Sequence, residues 1–85
     1  MAYYKCAFPD FDYEISDYQL EGFVDASQRG DACPCIKNDR VTIWFDYLNP
    51  DKRAIQGAKR FTLAETRTLE ILAETDDFEK IRKLV

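Results

Sequence analysis

Residues 40–48 read RVTIWFDYL, and this stretch carries the clearest secondary-structure signal in the chain. In an extended backbone, alternate side chains lie on the same face. One face would hold Val41, Ile43, Phe45 and Tyr47, and the other would hold Thr42, Trp44 and Asp46. Branched and aromatic residues fit the pleated surface of a sheet. We therefore predict a β-strand over Arg40 to Leu48.

A tight turn is predicted directly after this strand. Asn49-Pro50-Asp51-Lys52 is a typical turn sequence, because the fixed φ of proline suits its second position. Arg53 to Phe61 would then be the return strand, with Gly57 marking a bulge or an early end. Together these segments predict a β-hairpin over about 40–61 at the centre of the fold.

The residues before the hairpin predict one or two strands and a helix. Ala2 to Phe8 is rich in aromatic residues and stops at Pro9, which cannot donate to a central ladder. The next five residues, FDYEI (11–15), would continue that strand after a kink or form a separate short one. Tyr18 to Gln28 is predicted as a helix, because a serine-to-glutamine capping pair precedes its apolar residues.

The residues after the hairpin predict two further helices. Thr62 and Glu65 have the spacing of a capping box, and the helix that they begin would end near Thr75. Its apolar stripe would be Leu63, Thr66, Leu69, Leu72 and Ala73. A second capping pair, Asp76 with Glu79, predicts a last short helix. Its apolar side would be Phe78, Ile81, Leu84 and Val85.

The length and the order of these elements predict a single domain over residues 1–85. A chain of 85 residues is near the lower limit for an independent hydrophobic core, which leaves little room for a deep active site. The order β-α-β-β-α-α favours a small α+β fold. We expect an antiparallel β-sheet of three or more strands packed against two or three helices.

The composition argues against catalysis. The chain has no histidine, which removes the commonest general base and metal ligand. Its three glycines do not form a phosphate-binding loop, and no nucleophile elbow is present. We therefore expect a protein that is not an enzyme, with no catalytic residue and no cofactor.

The three cysteines do not predict a metal site. Cys33 and Cys35 are separated by one proline, whereas zinc ligands are normally two or more residues apart and number four. Cys6, the third cysteine, would still leave such a site one ligand short. We expect reduced thiols, since nothing points to an oxidising compartment, and a loop over DACPC (31–35). No metal is predicted.

Acidic residues are concentrated in the first third of the chain. Residues 1–31 carry seven acids against two bases, whereas residues 32–60 carry six bases against three acids. Asp10, Asp12 and Glu14 alternate with Phe11, Tyr13 and Ile15, so an extended backbone would form an acidic row. Asp17, Glu21 and Asp25, spaced by four, would continue the same charge along a helix face. A surface of this kind would favour a positively charged partner.

These features predict a small acidic binding protein that inhibits a partner by protein–protein interaction on a basic surface, such as that of a nucleic-acid-handling protein. The predicted partner-binding residues are Asp10, Asp12, Tyr13, Glu14, Asp17, Tyr18, Glu21 and Asp25, with the two tyrosines as anchors. In size, acidity and lack of catalytic groups the chain resembles phage-encoded inhibitors of host defence, including anti-CRISPR proteins and DNA mimics. That resemblance implies an anti-defence role.

Two other functions remain open. The hairpin would carry aromatic residues next to bases such as Arg53 and Lys59, as in a single-stranded nucleic-acid-binding module. Overall acidity makes direct nucleic-acid binding the weaker alternative, since phosphate contacts dominate such binding. A homodimer could instead form through Trp44 and the last helix. No membrane span or secretion signal is predicted, so we expect a cytoplasmic protein.

Overall fold

The computed structural model describes residues 5, 7–18, 20–28, 30–53, 55 and 57–85, with the backbone alone at residues 16 and 17. Five strands form one antiparallel sheet in the order β1-β2-β3-β4-β5, so sequential strands are neighbours. The strands are β1 (Val24–Asp25), β2 (Cys35–Lys37), β3 (Val41–Phe45), β4 (Phe61–Glu65) and β5 (Ile71–Thr75). The helix α1 is Phe78–Leu84, and two short 3-10 helices are Ile15–Tyr18 and Pro50–Lys52.

The central strand β3 confirms the core of the strand predicted over Arg40 to Leu48, although it spans only Val41–Phe45. Ile43 and Phe45 are fully buried, opposite Leu63 and Phe61 of β4. We call the sheet face that carries these four side chains the inner face, because it holds the hydrophobic core. The opposite, outer face carries Trp44, as the alternation predicts.

The partner of β3 begins where the predicted return strand should end. The Asn49-Pro50 turn is present, with the Asn49 side chain accepting a hydrogen bond from the Asp51 N–H. However, the chain does not turn back into a strand there, and residues 46–60 form a long connection before β4. The predicted hairpin over 40–61 is therefore wrong in its second strand.

A hairpin also replaces the helix predicted over 62–75. Strands β4 and β5 pair through residues 61–64 and 71–75, with a register shift that leaves Leu72 as a bulge. Their connecting turn is closed by the Leu69 N–H, which donates to the Glu65 carbonyl at 2.8 Å. The apolar stripe fits a helix, but pairing with β3 buries Leu63 and Ala64 instead. Tertiary contacts thus override the local helical signal.

The amino-terminal segment also differs from the predictions where it is described. Most of the strand predicted over Ala2 to Phe8 lies outside the described residues, and Lys5 and Ala7 have helical backbone. The helix predicted over Tyr18 to Gln28 does not form. Gly22 has φ 84°, which ends any helix there and permits a turn closed by the Phe23 N–H and the Leu20 carbonyl.

The last helix is present and covers the inner face. Asp77 caps α1 by accepting a hydrogen bond from the Glu79 N–H, one residue later than the predicted cap. Phe78 and Ile81 are buried in the core, whereas Leu84 and Val85 are exposed. Of the four residues predicted for the apolar side of this helix, only the first two are buried.

An aromatic cluster joins the helix, the sheet and the amino-terminal segment. The rings of Phe45, Phe61 and Phe78 lie 5.2 to 5.9 Å apart, and the Tyr18 ring lies 5.0 Å from that of Phe78. Such ring pairs add to the free energy of burial.

The predicted fold class is therefore wrong in its helical layer. An antiparallel sheet is present, with five strands, but it is not packed against two or three helices. Among the described elements α1 is the only α-helix that packs on the sheet, against β4 and β5 of its inner face. The 3-10 helix Ile15–Tyr18 adds Ile15 and Tyr18 to the same core. No helix within the described part of the chain is both long and apolar enough to cross a membrane.

Candidate functional site

The predicted acidic row is not a strand. Residues 11–14 have irregular backbone, and Ile15–Tyr18 is a 3-10 helix, so the alternating acids and apolar residues do not form two faces. The acids bind the chain locally instead. The Asp12 carboxylate accepts hydrogen bonds from the Leu48 and Asn49 N–H groups at 2.9 and 2.8 Å. Asp10 accepts one from the Tyr47 hydroxyl at 3.1 Å.

These contacts shift the pKa values of Asp12 and Tyr47. Partial burial opposes ionisation of Asp12, but the backbone hydrogen bonds from Asn49 and Leu48 outweigh it and lower its pKa. Burial, together with the nearby Asp10 carboxylate, raises the pKa of Tyr47 to about 12. Asp10 and Asp12 therefore fasten the amino-terminal segment to residues 47–49.

The two predicted tyrosine anchors are partly buried and face inward. The Tyr13 hydroxyl donates to the Asp46 carbonyl at 2.8 Å. The Arg60 guanidinium lies 4.3 Å from the centre of the Tyr13 ring, and its Nη2 donates to the Tyr18 hydroxyl at 3.0 Å. Such a stacked cation stabilises the packing of both rings. Whether these tyrosines bind a partner stays a prediction.

The remaining predicted residues are spread over the molecule. Glu14 forms an ion pair with Lys5 at 3.1 Å. Asp25, in the edge strand β1, accepts a hydrogen bond from the Ser27 N–H. Glu21 is exposed and lines a groove next to Leu84 and Val85, at the end of α1. The Asp17 side chain lies outside the described part of the structure. Of the seven described side chains, Asp12, Tyr13 and Glu14 line one groove and Glu21 lines another. The role of the predicted residues as a binding surface stays a prediction.

Two bases of the predicted hairpin surface contact other parts of this chain, and whether that surface binds nucleic acid stays a prediction. Arg53 donates to the carbonyls of Tyr47, Leu48 and Ala58, within the connection between β3 and β4. Lys59 pairs with Asp76 at 3.7 Å. These cations therefore have partners inside the chain, and the strand aromatic Trp44 lies in different surroundings.

Trp44 lies in a groove of about 360 Å³ on the outer face of the sheet, which we call the sheet-face groove. Its floor comes from three adjacent strands. The register places Trp44 of β3 opposite Thr62 of β4, and Thr62 opposite Glu74 of β5. Ala64 lies opposite Ile71 on the same face. The walls come from loops, with Ala32 and Cys33 at one side and Ile55 and Ala58 at another.

Large apolar side chains are exposed around this groove. Ile55 is 72% exposed, Leu69 60% and Ile71 57%. An apolar patch that is open to solvent and bordered by polar groups is typical of a binding surface. The groove is therefore the strongest candidate site in the described structure.

All charged residues that line the groove in the described structure are acidic. They are Asp31, Asp46 and Glu74, which we call the rim carboxylates. Burial raises the pKa of Cys33, in the groove wall, to about 12, and the negative charges of Asp46 and Asp31 contribute to that rise. The site thus combines apolar surface with negative potential.

The thiols in this region are poor nucleophiles. Cys33 and Cys35 are free and buried, and burial also raises the pKa of Cys35 to about 12. Since the thiolate is the reactive form, both remain protonated and unreactive near neutral pH. Among the described residues, no cluster of three or more His, Cys, Asp or Glu side chains could hold a metal ion.

The sequence contained one signal for the groove. The alternation in RVTIWFDYL places Trp44 on the face opposite the core, together with Asp46. Leu69, Ile71 and Glu74 were missed because their segment was predicted as a helix. Thr62, Ile71 and Thr75 favour a strand, but the alanines and glutamates between them do not, so the segment carries only a weak strand signal.

Comparisons of the chain with protein-family models, with curated proteins and with solved structures gave no significant match.

Proposed function

We propose that this protein is a small acidic, non-enzymatic binding protein that acts on a basic surface of another protein. The observation that carries the proposal is the sheet-face groove, in which exposed apolar side chains are bordered by Asp31, Asp46 and Glu74. Apolar area supplies affinity when it is removed from water, and the carboxylates select a partner of opposite charge.

The described contacts of Arg53 and Arg60 are made away from the rim carboxylates, which supports a negatively charged groove. Arg53 donates to three neutral backbone carbonyls, and Arg60 packs on Tyr13 and bonds the Tyr18 hydroxyl. Their charges therefore serve internal packing rather than pairing with the rim carboxylates. With a formal net charge of −4, the protein would attract a cationic partner over a distance set by the ionic strength.

Nucleic-acid-handling proteins are the partner class that we propose. Such proteins expose lysine and arginine clusters that bind phosphates, and an acidic protein seated on one would block access of the nucleic acid. Inhibition, including the anti-defence role implied by the general resemblance to phage inhibitors, would follow from this occupancy.

The proposal can be tested by comparing three immobilised proteins. The wild type, a rim variant (Asp31→Asn, Asp46→Asn, Glu74→Gln) and a control variant (Asp39→Asn, Asp51→Asn, Glu79→Gln) are exposed to lysate of the cells that express the protein. Each variant removes the same charge. We expect basic proteins to be retained at low salt by the wild type and the control, and to be lost from the rim variant.

The second measurement is inhibition. A retained nucleic-acid-binding protein should lose affinity for its nucleic acid when the wild-type protein is added, and should keep it when the rim variant is added. Equal retention of basic proteins on the rim and control variants would contradict the proposal. A further variant with Asp10→Asn and Glu21→Gln shows whether the predicted amino-terminal residues contribute.

A further inference from the structure

The outer face of the sheet is only partly covered by the described part of the chain. A sheet buries an apolar face against another element, most often a helix or a second sheet. Here α1 covers the inner face, and no helix in the described part of the chain lines the sheet-face groove. In the described structure Ile55 and Ile71 are exposed and Trp44 is half-buried, so this face is open to an additional element.

Leu69 provides a second and independent observation. Its φ is 60°, in the left-handed region that costs a bulky residue on the order of 1 kcal/mol and that glycine or asparagine occupies more easily. The strained position holds an apolar side chain that is 60% exposed at the edge of the groove. A mostly exposed leucine on strained backbone adds little to stability, whereas burial of its side chain under a partner would add to binding.

We propose that the sheet-face groove binds an amphipathic α-helix of a partner protein, whose apolar side packs on Trp44, Leu69 and Ile71 and whose lysines or arginines face the rim carboxylates. This inference rests on the proposed function, since it specifies the partner element for the same site. A helix supplies an additional layer on the open part of this face.

The charges argue against the other occupants. In a symmetric dimer the same patch meets itself, so two sets of rim carboxylates would lie close together without any basic residue of the described groove lining between them. A small-molecule pocket buries most of its ligand, whereas the apolar lining of this groove is open to solvent, with Ile55 72% and Ile71 57% exposed. Complementary charge on a protein helix satisfies both constraints.

Trp44 permits a direct test because it is the only tryptophan in the chain. The probe is a tryptophan-free peptide of about 18 leucine and lysine residues, long enough to form a helix with one apolar and one cationic face. Its comparators are the same composition in scrambled order, and the same pattern with glutamate in place of lysine. Binding is followed by the shift of Trp44 fluorescence to shorter wavelength.

We expect the amphipathic peptide to saturate the shift with an affinity about tenfold higher than that of the scrambled peptide, and the glutamate peptide not to bind. Leu69→Asn should weaken binding by about five- to tenfold while the free energy of unfolding stays equal or rises. Leu84→Asn is the matched control, because Leu84 is also 60% exposed but lies on α1, outside the groove lining.

The outcomes separate the inference from the proposed function. A lysine–serine peptide of equal charge tests electrostatics alone. If it binds in a manner that depends on the rim carboxylates, and the amphipathic and scrambled peptides bind equally, the helix inference is wrong while the proposed function stands. If no cationic peptide binds, both are wrong. A Trp44 shift that depends only on the protein's own concentration would show a second copy in the groove and would also overturn the inference.

Discussion

Asp12 shows how a predicted surface acid is used inside the fold. Its two oxygens accept hydrogen bonds from the N–H groups of Leu48 and Asn49. These two residues follow β3 and do not belong to a strand. Backbone N–H groups left without an acceptor are costly. One carboxylate therefore joins the amino-terminal segment to the connection between β3 and β4.

Asp12→Ala should reduce the free energy of unfolding by about 1 to 2 kcal/mol at neutral pH, because two hydrogen bonds to a charged acceptor are lost at a half-exposed site. Chemical denaturation measures the change. Asp51→Ala, an exposed acid in the same connection, is the control and should change the free energy by less than about 0.5 kcal/mol.

The effect of Asp12 has a defined pH dependence. Its folded-state pKa lies below the usual 3.8, so its contribution is complete above the unfolded-state pKa and is lost as the pH falls through the lowered folded-state value. The difference between wild type and Asp12→Ala should therefore be constant from neutral pH to about pH 5 and shrink below about pH 4. A difference that grows in acid would contradict this assignment.

At the scale of elements, one arginine organises the connection between β3 and β4. Arg53 Nε donates to the Tyr47 carbonyl and Nη1 to the Ala58 carbonyl, both at 2.7 Å, while Nη2 donates to Leu48 at 3.2 Å. The guanidinium carries its donors on three nitrogens, which reach three separate carbonyls, whereas a lysine ammonium carries all its donors on one nitrogen and cannot reproduce this spacing.

Arg53→Lys should therefore destabilise this connection although the charge is kept. We expect a loss of about 1 to 2 kcal/mol in the free energy of unfolding and faster hydrogen exchange at the Lys52 and Ala58 amides, whose hydrogen bonds close the local turns. Arg67→Lys is the control, because Arg67 is exposed in the β4–β5 turn. Unchanged exchange at both amides would show that Arg53 does not hold the connection.

The sequence predicts the elements whose local and tertiary signals agree. Strand β3 has both the alternation and a buried position, and α1 has a capping residue followed by Phe78 and Ile81, which reach the core. The segment 62–75 has conflicting signals. Its spacing of Leu63, Leu69 and Leu72 fits a helix, but the ladder with β3 and the turn at Leu69 decide for strands.

The candidate site was harder to predict than the fold, because it depends on pairing between distant segments. Trp44 was placed on the correct face by its own strand. The rim carboxylates lie far apart in sequence, and Glu74 reaches the groove only through the β4–β5 register. The acids that looked most conspicuous in sequence, Asp10 and Asp12, accept hydrogen bonds from this chain.

At the scale of the whole molecule, the charges and the apolar residues divide the sheet into two different faces. The inner face contacts α1 and the aromatic cluster around Phe45. The outer face combines Trp44 with the rim carboxylates and stays partly open. Stability thus comes mainly from one face, which leaves the other available for binding.

The whole fold should be sensitive to alkali, because several buried groups keep their protons at a pH where the same groups in the unfolded chain lose them. Burial raises the pKa of Cys33 and Cys35 from about 9 to about 12 and also raises that of Tyr13, while burial with Asp10 raises that of Tyr47 to about 12. In the unfolded chain these groups lose their protons near their ordinary pKa values. The folded state therefore binds more protons above pH 9, and its stability falls as the pH rises.

The thiol part of this fall can be isolated by substitution. In a Cys6→Ala background, the free energy of unfolding should be flat near neutral pH and decrease between pH 9 and 12, with each thiol adding at most about 1.4 kcal/mol per pH unit. Adding Cys33→Ala and Cys35→Ala should lower the starting stability, since buried atoms are lost, but should make the decrease between pH 9 and 10 shallower. Because the two tyrosines begin to titrate in the unfolded chain only near pH 10, the difference in slope below that pH belongs to the thiols. Parallel curves for the two proteins would show that the buried thiols ionise equally in the folded and unfolded states, and that the groove wall around Cys33 is open to water.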